Sequence, residues 1–252
     1  MTKASAAFFT LAVAMLIVSG CSSLPENQRS DLRDPFESEN RWVFAFNMGF
    51  DTYVVEPIAD AYRTGVPQGG QRAIGNHIKW AGMPSTAINS ALQGKAENAS
   101  LATLNFLVNG LTLGFADLME DETPIIKEDF GQTLAAANVP EGSFLMVPFL
   151  GPRTTRSLLG NIGDMIIDPV GTLAGGGSLQ TVNQLRTPVT AVDFRARTFD
   201  AFNDVKYNAI DPYSRVRSVY YQTRAGMLED RVSSTIGASE SDDEFDAFLE
   251  DE

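Results

Sequence analysis

Residues 98–116 contain no charged side chain, and Glu97 and Asp117 bracket them. At about 100° per residue, Leu101, Leu104, Leu107, Val108, Leu111, Phe115 and Leu118 share one broad face. Asn98, Asn105, Asn109 and Thr112 fall on a narrow stripe opposite. The pattern predicts a long amphipathic helix whose polar side is neutral. A helix on the surface of a soluble protein normally carries Lys and Glu on its wet face. A neutral Asn/Thr stripe suits an enclosed helix instead: one packed on other helices, lining a cavity, or lying partly in lipid, where ionised groups are expensive. A span of roughly 20 residues could nearly cross the hydrocarbon core of a bilayer. A buried core helix of a soluble domain, its Asn side chains satisfied by neighbours, accounts for the same periodicity. Gly110 and Gly114 each cost about 1 kcal/mol of helix propensity relative to Ala. Close helix–helix approach would offset that cost, and a kink is the alternative.

The start of the chain weighs on this choice. Lys3, the apolar run Ala6 to Val18, and Val18-Ser19-Gly20-Cys21 form a secretion signal ending in a lipobox, with residues 1–20 as the signal peptide. The run is too short for an ordinary spanning helix. Cys21 is the only cysteine, so no disulfide can form within the chain, and its thiol is the expected site of lipidation. A plain signal peptide with an incidental Cys is the competing reading. Residues 21–33 are expected to be a polar tether. By bacterial sorting rules Ser22 is not the Asp that retains lipoproteins at the inner membrane, so the outer membrane is the expected address.

Charge narrows the partners. The total is −13; subtracting the signal (+1) and the tail from Glu240 to Glu252 (−8) leaves −6 for residues 22–239. That balance argues against nucleic acid. One His, His77, without a Cys beside it cannot build the usual zinc sites, so neither a metal nor a cofactor is expected. There is no G-x-S-x-G elbow, Walker loop or dinucleotide fingerprint. A hydrolase would have to rely on Ser143 or His77, the weakest of the functional readings.

Taken in order, Asp34 can cap a helix with Pro35 at its first position and Glu37 three residues on. Trp42, Val43, Phe46 and Phe50 then follow helical spacing. This opening helix is aromatic enough for a core or a membrane interface, and Phe44, Ala45, Phe46 and Asn47 are the candidate membrane-positioning residues. Arg72 to Trp80 is predicted helical, Met83-Pro84 to break the chain, and Thr86 to Leu92 to form another turn or two. Ser143 to Pro152 is charge-free and apolar, but Pro148 argues against a central strand. A helix is predicted from Arg153 through Asp164. Pro169 to Leu185, charge-free and rich in Gly, suits a mobile surface loop or one lying at a membrane. Thr190 to Tyr207 is expected to form one amphipathic helix, and Asp211-Pro212-Tyr213 to cap another that ends near Met227. The tail, residues 233–252, is Ser- and acid-rich and expected to be disordered. Within it Phe245, Phe248 and Leu249 lie at i, i+3 and i+4. A solvated end with incidental Phe residues is one reading; a peptide that docks on a partner's apolar groove is the other.

These segments together resemble the MlaA/VacJ family of lipoproteins. The resemblance is carried by Asp34-Pro35-Phe36-Glu37 with Asn40-Arg41, Phe46-Asn47 with Asp51, Pro57, Tyr62 and Val66-Pro67. It continues through Leu92-Gln93-Gly94-Lys95, Asn109, Glu128-Asp129-Phe130-Gly131-Gln132-Thr133-Leu134, Pro148 with Leu150-Gly151-Pro152, Arg156, Gly160, Asp164, and Asp211-Pro212-Tyr213. These run in the family's order from about Asp34 to Gln222, within a domain spanning residues 34–232. There are departures: Ala135 to Asn138 stand where the family usually has Gly and Trp, Arg153 replaces a usual Ser, Ser157 replaces a usual Asp, and the Gly-rich segment after Asn109 is short.

The resemblance implies an all-α fold: a ring-shaped helical domain embedded in the inner, periplasmic leaflet of the outer membrane, with a central polar channel. It implies removal of misplaced phospholipid from the outer leaflet and delivery to a periplasmic lipid-binding carrier, beside a trimeric outer-membrane porin, without covalent chemistry. Asn98, Asn105, Asn109 and Thr112 would line the channel, and Phe245, Phe248 and Leu249 would dock the carrier. The alternative is a non-transporting structural lipoprotein that tethers porins or envelope layers.

Overall fold

The structure is a computed structural model that describes residues 33–119, 124–168 and 178–229. The expectations for Cys21, the tether, the tail with Phe245, Phe248 and Leu249, and residues 169–177 of the loop expected from Pro169 to Leu185 lie outside the described residues; the rest of that expected loop, from Ser178, is helical instead. In chain order come α1 (Glu37–Phe50), a π-helical turn (Asp51–Val55), α2 (Glu56–Gly65), α3 (Gln68–Leu92) and α4 (Ala96–Asn109). A 3-10 turn (Gly110–Thr112), α5 (Phe130–Ala136), β1 (Phe144–Val147), β2 (Gly151–Thr154) and α6 (Thr155–Ile167) follow. The last elements are α7 (Ser178–Arg197), α8 (Phe199–Asn208) and α9 (Pro212–Leu228). The fold is mostly helical, as expected.

Several local expectations are corrected. The predicted 19-residue helix is shorter: α4 stops at Asn109, and the chain turns through Leu113 and Gly114 at positive φ. Gly114 is required there twice over. A side chain would meet the left-handed backbone and would place its Cβ 2.4 Å from Trp80 Cβ. Close approach, to a Trp rather than a second Gly face, explains the glycine. Among the described residues no helix is long and apolar enough to cross a membrane.

Pro84 does not end a helix but lies inside the 25-residue α3. It forfeits the bond its N–H would make to the Trp80 carbonyl. Trp80, Ala81, Met83, Pro84 and Thr86 are all buried around it, and this packing holds the helix continuous. Ser143 to Pro152 forms a two-stranded antiparallel hairpin pairing Phe144 with Thr154 and Val147 with Gly151. Pro148 sits in its turn, where no ladder bond is lost. The segment from Thr190 to Tyr207 is two helices, separated at Thr198. Asp34 does not cap α1, whose first turn has no side-chain cap. The expected cap at Asp211 is present, accepting from the Ser214 amide; the helix predicted from Arg153 instead begins at Thr155, with Thr154 as its cap accepting from the Ser157 amide.

The packing contacts close on themselves. α1 lies on β1, β2 on α6, α6 on α5, α5 on α3, α3 on α7, α7 on α2, and α2 returns to α1 through the π turn. Helix α9 joins β2, α5 and α8, and α8 reaches α2 and α7. One aromatic cluster, Phe44, Phe144, Met146 and Tyr213, fills the angle between α1, the hairpin and α9. Phe44 and Phe144 both meet the Tyr213 ring edge-on.

Candidate functional site

Polar and apolar side chains are distributed in an unusual way. Trp42, Tyr53, Leu107, Leu111, Met165 and Ile166 are each between 63 and 84% exposed, and many other large apolar side chains share the surface with them. The enclosed apolar set is small, and Ala59, Ala81, Ala102 and Ala196 make up much of it. Asp34, Asp51, Glu128, Asp193, Arg195 and Arg224 are buried. Soluble monomers seldom expose contiguous apolar surface on this scale, and buried charge persists only when paired and hydrogen-bonded.

Three buried polar centres meet that condition. The first ties α7 and α8 to the π turn. Arg195 donates to both Asp51 oxygens at 2.8 and 3.2 Å and to Asn203 at 2.5 Å. Lys206 bridges Asp51 and Glu56, at 2.7 Å each. Two cations meet two carboxylates, so the centre is neutral. The Lys206 ammonium, with Tyr207 at 2.9 Å, holds the Glu56 carboxyl below its usual range against the opposing effect of burial. The π turn lets this happen, because its Asp51 faces inward while Tyr53 points out.

The second centre closes the aromatic cluster. Asp34 accepts from Tyr213 (2.5 Å), Arg217 (2.6 Å) and Asn40 (2.8 Å). Asn40 also takes the Met146 amide and gives to the Phe144 carbonyl, fixing β1 to α1. Nearby, Arg41 grips Asp211 with both terminal nitrogens at 3.0 and 2.6 Å and holds that carboxyl far below its ordinary value.

The third centre joins α3, α5 and α6. Asp164 accepts from Ser85 (2.7 Å), Asn89 (2.9 Å) and the Phe130 amide (3.1 and 3.2 Å), so it caps α5 from outside. Thr133 gives to Asn89, and Gln93 and Lys95 hold the fully buried Glu128. The crossing requires Gly160: a Cβ there would lie 2.4 Å from the Gly131 nitrogen. Thus residues scattered along the sequence, Gln93-Gly94-Lys95, Glu128 to Thr133, Gly160 and Asp164, form one joint.

The predicted channel residues occupy the inner face of α4, but not as an open wall. Asn105 and Asn109 are 1% and 4% exposed. Asn109 Nδ2 donates to Asn105 and Asp117, and its Oδ1 accepts the Leu118 amide at 2.7 Å. Asn98 holds both backbone groups of Ile126 and bonds Ser90, and Thr112 closes the turn onto Ala116. The channel-lining assignment is corrected for Asn105 and Asn109: these amides tie the loop after α4 back onto the helix, and their bonding capacity is used within the protein. Of the alternatives the sequence left open, the buried-core one does not hold for their apolar counterparts: Leu104, Leu107 and Leu111 face outward. An apolar groove of about 550 Å³ opens on the same side, between Ala87, Ile88 and Ala91 of α3 and Ala99, Thr103 and Leu104 of α4.

The opening-helix candidates divide. Phe44 belongs to the core, Ala45 is exposed, Phe46 is partly exposed against Phe149, and Asn47 clasps the hairpin through the Val147 carbonyl and Phe149 amide. His77 donates to the Leu113 carbonyl at 2.6 Å and stacks on Phe115, and Ser143 offers its carbonyl to the Thr155 amide. Neither is the other's partner. Residues that sequence reasoning passed over are Glu56, Arg195 and Lys206, whose charges sit in helices that look ordinarily amphipathic. The one available signal was Asp51, which the family resemblance included.

The described residues thus form a helical protein with many large apolar side chains outside and hydrogen-bonded charge inside. A profile of the MlaA lipoprotein family matches residues 32–226, and the chain belongs to that family. It is 27% identical over 219 residues to the intermembrane phospholipid transport system lipoprotein MlaA of Shigella flexneri, covering 84% of each chain. The Haemophilus influenzae lipoprotein of the same name is 27% identical over 225 residues, covering 84% of this chain and 86% of its own. A solved structure described as the "structural basis for maintenance of bacterial outer membrane lipid asymmetry" superposes with a TM-score of 0.67 at 26% identity, over 77% of this chain and 98% of that one.

Proposed function

We propose that this lipoprotein seats in the periplasmic leaflet of the outer membrane, takes up phospholipid misplaced in the outer leaflet, and passes it to a soluble periplasmic carrier. The observation that carries this reading is the inverted surface: Trp42, Tyr53, Leu107, Leu111, Met165 and Ile166 outward, Asp51, Arg195, Glu128 and Asp34 inward. A tether between envelope layers has no need of such a surface. The closed circuit of helix contacts supports a ring, and a lipid would cross through its polar middle rather than along the exterior. The names of the Shigella flexneri and Haemophilus influenzae relatives, an intermembrane phospholipid transport system, support the cargo. Cys21 would carry the anchor, a trimeric porin would flank the apolar belt, and the acidic tail with Phe245, Phe248 and Leu249 would meet the carrier. No covalent step is needed, since relocation of a lipid makes and breaks no bond.

The test is the phospholipid content of the outer leaflet in a strain lacking this protein. A rise over the parent, reversed by the intact gene and not by Cys21→Ser, is expected. An unchanged outer leaflet refutes transport and leaves the tether.

A further inference from the structure

In the first two polar centres carboxylates and cations pair off, and in the third Lys95 pairs Glu128 while neutral donors hold Asp164; Arg153 has no carboxylate of its own. It lies on β2 opposite Leu145, on the face away from Phe144 and Thr154. The strand is held to α9 by the Thr154 amide, which donates to Tyr220 Oη at 3.0 Å. The charged and phenolic groups acting on Arg153 are Tyr220 and Arg224 of α9 and Asp129 at the start of α5. Asp129 is already committed: Arg224 takes both its oxygens at 2.5 and 3.3 Å, and it caps α5. Arg156, the second residue of α6, is buried and directs Nη1 to the Val139 carbonyl at 2.9 Å. Arg153 itself gives Nη1 to the carbonyl of its neighbour Pro152, while its buried Nε has no hydrogen-bond partner. No carboxylate lies within ion-pair distance of it among the described residues. Arg224 in turn faces Asp129, Tyr220 and the more distant Glu141.

A guanidinium does not shed its proton in a protein, so a partly buried one with no carboxylate of its own gains from an anion supplied from elsewhere. Burial works against the Arg153 charge, as does Arg224, with Tyr220 and Asp129 opposing them. The planar fork matches two oxygens of a phosphate better than it matches a single carbonyl.

We infer that Arg153, with Arg224 beside it, forms a subsite for the phosphate group of a phospholipid headgroup. This rests on the transport reading and specifies which part of the cargo is recognised. Arg153 is a binding residue here, and the phosphodiester stays intact.

The test uses the full-length protein in a nonionic detergent, with phosphatidylglycerol and the uncharged diacylglycerol of the same chains as probes. Wild type should bind phosphatidylglycerol more tightly than diacylglycerol. Arg153→Ser, the family's usual residue, should lose about tenfold or more in phosphatidylglycerol affinity, the worth of one charge-assisted pair, with diacylglycerol binding unchanged. Arg153→Lys, which keeps the charge without the fork, should fall between them. Undiminished phosphatidylglycerol binding by Arg153→Ser overturns the subsite, and so does an equal loss for both lipids. Inorganic phosphate binding that depends on Arg153 when phosphatidylglycerol binding does not would overturn the lipid assignment. Should Arg153→Ser unfold, the Lys variant decides: wild-type affinity there removes the fork. A mutant strain with normal outer-leaflet lipid but Arg153-dependent binding would sink the transport reading and leave this site standing.

Discussion

The two ends of the molecule are held together by different means. Where α1, the hairpin and α9 meet, Phe44, Phe144, Met146 and Tyr213 form a closed cluster sealed by Asp34, much as in a soluble domain. Where α3 lies along α4, the contact is extensive but poor in large apolar side chains: Trp80 stacks on Phe106 and donates to its carbonyl at 2.8 Å, Ala81 and Ala102 are buried, and buried amides do much of the rest. There the leucines point away from the protein. The first region encloses its large apolar side chains; the second leaves many of its own on the surface.

Substitutions should separate the two regions. Phe144→Ala empties the middle of the aromatic cluster and should cost about 3–5 kcal/mol in any medium, read as denaturant unfolding in detergent and in bilayers alike. Asp51→Ala leaves Arg195 and Lys206 sharing Glu56 and should cost a similar amount, about 3–5 kcal/mol. Both losses should be independent of lipid. A marked bilayer rescue of Phe144→Ala would erase the distinction. Asn109→Ala frees the Leu118 amide and Asp117 and should cost about 1–3 kcal/mol. The pair Leu104→Asn with Leu111→Asn should scarcely alter unfolding in detergent, because both side chains are already exposed. It should instead weaken retention in the membrane, by up to about 1.5–3 kcal/mol for each side chain that lipid would have buried. Equal membrane retention by the pair and wild type would show that this face does not meet lipid.

Much of this arrangement was visible in the sequence. The Leu and Asn faces of residues 98–116 are period-3.6 features, and the period survives into the structure with the leucines outward. Their partners were not visible. Asn109 closes its own loop because Gly114 must turn against Trp80, a residue 34 positions earlier in the sequence, and nothing local announces that contact. Pro84 misled for a related reason: a proline weakens a helix locally, but burial on both sides outweighs the one lost bond. The hairpin at Phe144 to Thr154 was hidden because Pro148 was weighed as a strand residue rather than as the turn. Asp34 has every local mark of a cap, yet Tyr213 and Arg217, nearly 180 residues on, draw it into the core. Charges inside long helices, such as Arg195 and Lys206, give no sign of facing inward when the exterior is lipid rather than water.

The smallest effect tests whether α2 and α7 obey the same rule as the aromatic end. Tyr62 donates to Asp193 at 3.0 Å. Burial, with Asp193 beside it, pushes the phenol from its ordinary value of 10.0 up to about 12. A group whose folded pKa is raised contributes stability that is complete below the unfolded value and is lost as pH climbs through the folded one. Between pH 10 and about 12 the unfolded chain therefore releases this proton while the folded protein keeps it, and stability should decline across that window. Tyr62→Phe removes both the titration and the hydrogen bond. It should be less stable than wild type by roughly 0.5–1.5 kcal/mol at neutral pH, or more if it leaves Asp193 unsatisfied, and its own decline above pH 10 should be shallower. Parallel wild-type and Tyr62→Phe curves across the alkaline range, followed by unfolding in detergent, would mean that the α2–α7 contact opens before the tyrosine ionises, and that this joint belongs with the lipid-dependent region.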